Sequence, residues 1–287
     1  MMKERCPLCR AVHRVRLYRR TRSGDVHRCT ACGFVYSAPR GTPDAEAPSA
    51  FTDNPEAYFE NARHRMEVLA RHTGVTSGRL LDVGCYDGPF MLAAQRLGFA
   101  VEGVEIDERG AAAARERGLE VVVGPFEEVD LHPPYDVVTF VHSLEHFEDP
   151  LAALTRAGDL LRPGGALLVE VPDFDAWSRR LLGRRWRQFI ADHFHFFEPR
   201  TLRRCLEETG FADAHLQNVG KVATIGLLAD RLGRYYQRGL GRVMTAAAGR
   251  WGLQNRRVSL DLGDILLAVA TRRDRGYTTA APVRVNK

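Results

Sequence analysis

Four cysteines stand within the first 32 residues as two pairs, Cys6-Pro-Leu-Cys9 and Cys29-Thr-Ala-Cys32, with 19 residues between them. Two such knuckles can bring four thiolates to the corners of a tetrahedron, the ligand set of a structural zinc site. Four sulfurs leave no coordination position for water, so a metal held there would build structure rather than catalyse. A redox dithiol pair is the other use of the same spacing. Gly33 after the second pair permits the left-handed backbone of a knuckle, whereas Arg10 at the matching place does not help equally. Cys85 and Cys205 are isolated and read as packed thiols.

A second constellation lies in Leu80–Phe90, LLDVGCYDGPF. An apolar run delivers Asp82, and the chain then turns through Gly84 and Gly88 into a helical pattern. Glycines at such a turn let the backbone approach a ligand closely, and the amides opening the helix face an anionic group. Glu105 closes the next apolar run, where a carboxylate can accept from both hydroxyls of a ribose. The D-x-G-x-x-x-G order differs from the GxGxxG of dinucleotide sites. An acid ahead of the first glycine suits a positively charged sulfonium amino acid better than a pyrophosphate.

The elements that must position these residues follow from periodicity. Tyr58, Phe59, Ala62, Met66 and Leu69 make one face of a helix over Pro55 to His72. From Arg79 onward RLLDVG, AVEGVE, LEVVVG, YDVVTFV and ALLVEVP read as strands separated by helices. The fifth strand follows a helix from Glu148 to Leu161 and a turn at Arg162-Pro163-Gly164-Gly165. A helix over 200–209, a strand over 211–219 and a last strand in LDLGDILLAVATR complete the pattern. The expected fold is α/β, a Rossmann-like seven-stranded, mostly parallel sheet with helices on both faces, plus a small N-terminal zinc ribbon. The expected boundaries are a zinc-ribbon module over 1–40, a Pro- and Ala-rich linker over 41–55, the main domain over 56–273 and a loose tail over 274–287. Within the main domain, 173–200 reads as a lid and 223–257 as a basic, amphipathic helical insertion.

LLDVGCYDG, GVEID, YDVV, LEH, LLRPGG and GDILLAVA occur in the order found in class I S-adenosylmethionine-dependent methyltransferases, which the chain resembles over about 75–219 and its last strand. The resemblance implies S-adenosyl-L-methionine as cofactor. Asp82, Gly84, Cys85, Tyr86 and Gly88 would shape the methionine pocket, Glu105 would hold the ribose and Ile106 would pack on the adenine. Pro125, Phe126 and Glu127 would occupy the adenine edge, although Gly124-Pro125-Phe126 departs from the Asp many relatives place there. His142, just past the fourth strand, would lie near the methyl group. After that strand comes His142-Ser143-Leu144-Glu145 rather than the [DN]-P-P-[YF] of enzymes that methylate exocyclic amines, which favours an oxygen or carbon acceptor.

Asp192-His193-Phe194-His195-Phe196-Phe197-Glu198-Pro199 resembles the His-containing segment of the small-molecule branch and, in part, of nucleotide-sugar C-methyltransferases, which also carry an N-terminal zinc module. That likeness makes His193 the leading general base, with Asp192 as its orienter and His146 as a second candidate. A base near its reference pKa would give the reaction an acid limb.

Charge is segregated: residues 1–40 carry +8, 177–204 carry +6 and 221–257 carry +7, against a total of +5. An anionic or sugar-linked small-molecule acceptor fits that distribution. So does an RNA substrate gripped by its phosphates, the alternative that the missing amine motif disfavours. A non-catalytic cofactor-binding adaptor and a membrane-surface role for 223–257 are the other readings. No apolar run reaches the roughly 18 residues of a membrane span, and no secretory signal opens the chain, so the expected compartment is the cytoplasm. Replacing Glu105 by Ala removes two charge-assisted hydrogen bonds to the ribose, each worth about 1.5–3 kcal/mol. Cofactor affinity measured by calorimetry should fall at least roughly tenfold; an unchanged affinity would remove Glu105 from the site.

Overall fold

Adjacent residues of one strand face opposite sides of a sheet, so an apolar pair such as Leu80-Leu81 belongs to a strand covered on both faces. The computed structural model describes residues 5–37, 55–235 and 238–273, so most of the expected linker and all of the expected tail lie outside the described residues. Leu80 packs with Leu69 and Phe90 on one side, while Leu81 packs with Leu154 and Leu206 on the other. Leu167 and Leu168 repeat the division two strands away.

The seven strands are β4 (Gly78–Val83), β5 (Phe99–Glu105), β6 (Val121–Val123), β7 (Tyr135–Val141), β8 (Leu161–Pro172), β10 (Phe211–Asn218) and β13 (Ile265–Arg272), ordered β10-β13-β8-β7-β4-β5-β6. The pairs β6–β5, β5–β4, β4–β7 and β7–β8 are parallel, while β13 runs antiparallel to both β8 and β10. Helices α1 (Pro55–Thr73) and α2 (Pro89–Arg96) cover one face, and α4 (Pro150–Leu160) and α6 (Pro199–Glu208) the other, with α3 (Glu108–Glu116) beside β5 and β6. This is the expected Rossmann-like architecture.

Three expectations change in detail. Helix α4 starts at Pro150, after Asp149 caps it by accepting from the amides of Leu151 and Ala152 at 3.1 Å. Pro163–Gly165 is a bulge inside β8, not a turn before it: the register steps from Tyr135↔Leu161 to Val137↔Ala166. The segment expected as one helix over 223–257 is a hairpin of β11 (Lys221–Thr224) and β12 (Arg257–Leu260) enclosing α7 (Ile225–Tyr235) and α8 (Arg238–Arg250). The two helices fold back because Gly233 and Gly241 meet, where a Cβ on either would collide with the other's backbone.

Residues 5–37 form β1 (Arg14–Thr21), β2 (Gly24–Cys29) and β3 (Val35–Ser37), and their sheet gains a fourth strand, β9 (His195–Phe196), from the lid. The lid also holds the short helix α5 (Trp177–Leu182). Among the described residues no helix is long and apolar enough to cross a membrane. Phe140 is fully buried and meets Phe126 and Phe147 edge-on at ring separations of 5.9 and 5.7 Å. Phe140→Ala should therefore destabilise the protein by about 3–5 kcal/mol, read from urea unfolding.

Candidate active site

Strand order reverses at β4, which has β5 on one side and β7 on the other, so a crevice opens beyond its carboxyl end. The loop leaving β4 has three left-handed residues, Gly84 (φ 75), Tyr86 (φ 48) and Gly88 (φ 79). A side chain on Gly84 would bring a Cβ within 2.6 Å of Ser143 Cβ, so glycine is required for packing as well as for φ. Asp82 is buried at this edge, and its Oδ1 accepts from Thr139 Oγ1 at 2.7 Å. Burial, reinforced by the Glu105 charge, pushes its acid up to about 7 despite that bond. Glu105 accepts from the amides of Tyr86 at 2.7 Å and Asp107 at 2.8 Å, one on each oxygen, which leaves each oxygen further acceptor capacity. Ile106 beside it is 68% exposed, an apolar side chain with no protein cover.

These positions fit a sulfonium amino acid joined to a nucleoside. Two of the resemblance's other assignments need correction. Phe126 turns into the core against Phe140 and Phe147, so its ring is not at the adenine edge, while Pro125 is half-buried and Glu127 exposed. The Cys85 thiol is buried, its sulfur lying where a Cβ on Gly103 would stand, so only its backbone is left to face a ligand.

A cleft of about 700 Å³ lies at the same end of the sheet, lined by Tyr58 and Arg65 of α1, by His142 and Glu170, and by Lys221 and Arg231. Glu170 is buried, and Arg65 Nε meets its Oε2 at 2.7 Å. Burial alone would raise the Glu170 acid, but Arg65, His142 and Lys221 hold it well below the usual range. His142, itself left-handed at φ 55, places Nε2 2.9 Å from Glu170 Oε1 and 2.7 Å from Lys221 Nζ. Burial lowers Lys221 to about 8 against the pull of Glu170.

Behind His142 stands a cluster that sequence reasoning divided differently. Glu145 is 0% exposed, and neither carboxylate oxygen has a hydrogen-bond partner. Its Oε1 lies 3.7 Å from His142 Nδ1 and 3.8 Å from His193 Nε2, and the His146 ring meets that of His193 edge-on at 4.8 Å. Burial would raise the Glu145 acid, but the neighbouring imidazoles of His142, His193 and His146 hold it at about 2. His193 is 5% exposed, and burial pushes it down to about 3 against the Glu145 charge. Two expectations are thereby corrected: His193 has no place on the cleft wall, and its protonation lies too low to give an acid limb near neutrality. Asp192 does not orient it either. Its carboxylate lies 3.4 Å from His146 Nδ1, which also meets the Asp192 carbonyl at 2.9 Å. The carboxylate beside the His193 ring is that of Glu145, 3.8 Å from Nε2.

Glu170, Arg65 and Lys221 were not among the expected site residues. An acid inside the otherwise apolar ALLVEVP and an arginine on the apolar face of α1 were the available signals; Lys221 offered none.

Residues 54–216 match the family described as a methyltransferase domain, more than half of the chain. The chain belongs to that family. It is an S-adenosylmethionine-dependent methyltransferase. The ubiquinone biosynthesis O-methyltransferase of Aromatoleum aromaticum is 26% identical over 171 residues, 53% of this methyltransferase and 71% of that protein. The enzyme of the same name from Serratia proteamaculans is 28% identical over 164 residues, covering 52% and 68%. The fold is shared with a SAM-dependent methyltransferase from Archaeoglobus fulgidus (TM-score 0.52, 18% identity, 78% of this chain and 100% of that one). It is shared also with phosphoethanolamine N-methyltransferase 2 of Haemonchus contortus in complex with S-adenosyl-L-methionine (TM-score 0.51, 18% identity, 84% and 62%).

The elevated Asp82 acid gives a test of the cofactor pocket. A cationic ligand favours the ionised carboxylate, so binding should release a proton and weaken as pH falls through about 7. Calorimetry between about pH 6 and pH 8 should show affinity for S-adenosylmethionine falling by up to roughly tenfold per pH unit below the transition. Asp82→Asn should flatten that dependence; a wild-type affinity independent of pH would take Asp82 out of contact with the cation.

Proposed function

We propose that this methyltransferase alkylates a hydroxyl oxygen of a small anionic molecule seated in the cleft beside His142. The observation that carries the reading is the meeting of His142, Lys221 and Arg231 on one wall, at the same sheet end as Gly84 and Glu105. The names of the matched relatives, O-methyltransferases, support oxygen rather than a sugar carbon as acceptor. Bound S-adenosylmethionine supplies an electrophilic methyl group on a sulfonium sulfur.

Asp82, Gly84, Tyr86, Gly88 and Glu105 hold the donor, with Ile106 under the adenine, and the cleft holds the acceptor in line; that alignment supplies most of the acceleration. Lys221 and Arg231 attract the acceptor's anionic group. A second cleft of about 850 Å³ shares both residues and continues along Leu182, Trp186, Leu228 and Leu232, where an apolar part of the acceptor would lie. During methyl transfer the hydroxyl proton would pass to His142 Nε2, the nitrogen that Lys221 Nζ meets at 2.7 Å in the free protein. The resulting imidazolium faces Glu170 on one nitrogen and Glu145 on the other. His193 keeps Glu145 in place from behind.

We also infer zinc at the four cysteines. Cys6 and Cys32 sulfurs lie 3.5 Å apart, as do those of Cys9 and Cys29, close to the spacing of tetrahedral ligands about 2.3 Å from a shared ion. Arg10 adopts φ 60 at the place where Gly33 has φ 81, so both knuckles close despite the missing glycine.

Transfer of labelled methyl into fractionated cell extract, with ribonuclease and glycosidase controls, tests the acceptor class; loss of labelling after ribonuclease would favour RNA. With the labelled fraction in hand, His142→Asn should keep cofactor affinity and reduce turnover by roughly 10²–10⁴-fold. His193→Asn should cost less, and Asp192→Asn least. The reverse order of His142 and His193 would return the base to the lid.

A further inference from the structure

The four-cysteine module and the catalytic turn are joined by an unbroken set of contacts. The turn after β7 carries His142, Glu145 and His146. Three lid bonds hold it: Phe194 N donates to Glu145 O at 3.0 Å, the His146 ring meets Asp192 O at 2.9 Å, and the His195 ring meets Phe147 O at 2.7 Å. Those lid residues are in turn held by the module. Val35 pairs with Phe196 and Tyr36 with His195. Ser37 gives both of its donors to the lid, its amide to Phe194 O at 2.9 Å and its hydroxyl to His193 O at 3.1 Å. At the other end of β9, Arg28 grips Glu198 through two bonds of 2.6 and 3.1 Å, and Arg200 donates to Cys32 O at 3.0 Å.

The packing repeats the connection. Val26 and Val35 of the module share one buried cluster with Phe174, Trp186, Phe189 and Phe196 of the lid. The knuckles themselves are tied by Cys29 N to Phe34 O and Gly33 N to Cys29 O, both 2.9 Å, immediately before β3 begins. Whatever fixes the four sulfurs therefore fixes the start of β3, and β3 fixes β9.

We propose that the metal-loaded cysteine module is the anchor of the active-site turn: through β3, Ser37 and β9 it sets the position of Glu145 and of the histidines around it. Ser37 is a positioning residue, acting on the lid backbone and touching neither donor nor acceptor. The cofactor loop after β4 touches the turn at Ser143, where Gly84 packs and where Ser143 Oγ donates to Val83 O at 2.6 Å. That contact is made from the sheet side and does not run through β3 or β9, so metal loss should disturb turnover more than cofactor binding. The inference rests on the catalytic reading of the His142–Glu145 turn, but its structural half is read independently of activity.

The test uses the full chain with bound metal, the same protein stripped with a chelator, and the Ser37→Ala variant. Amide hydrogen exchange over 190–197 and 142–147, calorimetric titration with S-adenosylhomocysteine, and metal analysis are measured on each. Metal removal is expected to speed exchange in both segments at least roughly tenfold and to leave cofactor affinity within about twofold. Restoring zinc should reverse it. Ser37→Ala should keep its metal yet loosen Phe194 and Glu145, and should lower kcat of methyl transfer into the labelled acceptor fraction without changing cofactor affinity. Unchanged exchange at 142–147 in the metal-free protein would overturn the proposal, as would a cofactor affinity lost together with the metal. Should wild type show no transfer to any acceptor, the functional reading fails, while the exchange result still decides the anchor.

Discussion

Glu170 is a carboxylate at the end of a central strand, shut away from water, and such a group persists only where cations and donors surround it. Its compensation organises the site. Arg65 brings in α1 and, by donating to Gly220 O at 3.0 Å, fixes the entry to β11. His142 brings in the end of β7 with its left-handed backbone, and Lys221 brings in β11. Each lines the cleft, so the cleft's shape follows from neutralising one buried charge. Removing one partner of such a pair costs more than the pair contributes, because the other charge remains buried.

What could be read from the sequence was what is local. Asp82, Gly84, Gly88 and Glu105 sit within one βαβ unit, and their chemistry follows from a turn and two strand ends. The mostly parallel sheet follows from alternating apolar runs and helices, because parallel strands need crossovers. The Glu145 cluster was harder because Glu145 and His193 lie far apart along the chain, and the lid's bonds to β3 and to the turn after β7 set which acid faces which imidazole. Asp192 seemed the natural orienter by proximity in sequence, yet it sits in a turn that aims its carboxylate at His146. Phe126 was misplaced for the same reason: the loop location was right and the side chain's direction was not. The break between α7 and α8 depends on Gly233 meeting Gly241, a contact that helical periodicity does not encode.

The basic segments change meaning once partners are visible. Arg28 holds Glu198, Arg10 meets Asp149, Arg187 grips Asp264, and Arg179 donates to Phe174 O while lying over its ring. Many arginines that suggested an anionic partner are therefore engaged in joining module, lid and sheet. The exposed pairs among them contribute at most about 1 kcal/mol each, so their effect is on geometry more than on stability. Arg231 and Lys221 line the cleft, Lys221 beside the Glu170 carboxylate, and are cations that a ligand there would meet.

The excursion made of β11, α7, α8 and β12 leaves the sheet after Val219 and returns at Ile265, and those two residues are hydrogen-bonded to each other, Val219 N to Ile265 O at 3.1 Å. Its two ends are thus already closed on the sheet, and closing a longer or shorter segment across the same gap changes the entropy only slowly with length. The segment that lines the cleft is a cassette. Evolution or design can exchange it whole for another of different length and lining while the donor pocket, built from β4 and β5 on the far side of the switch point, stays as it is.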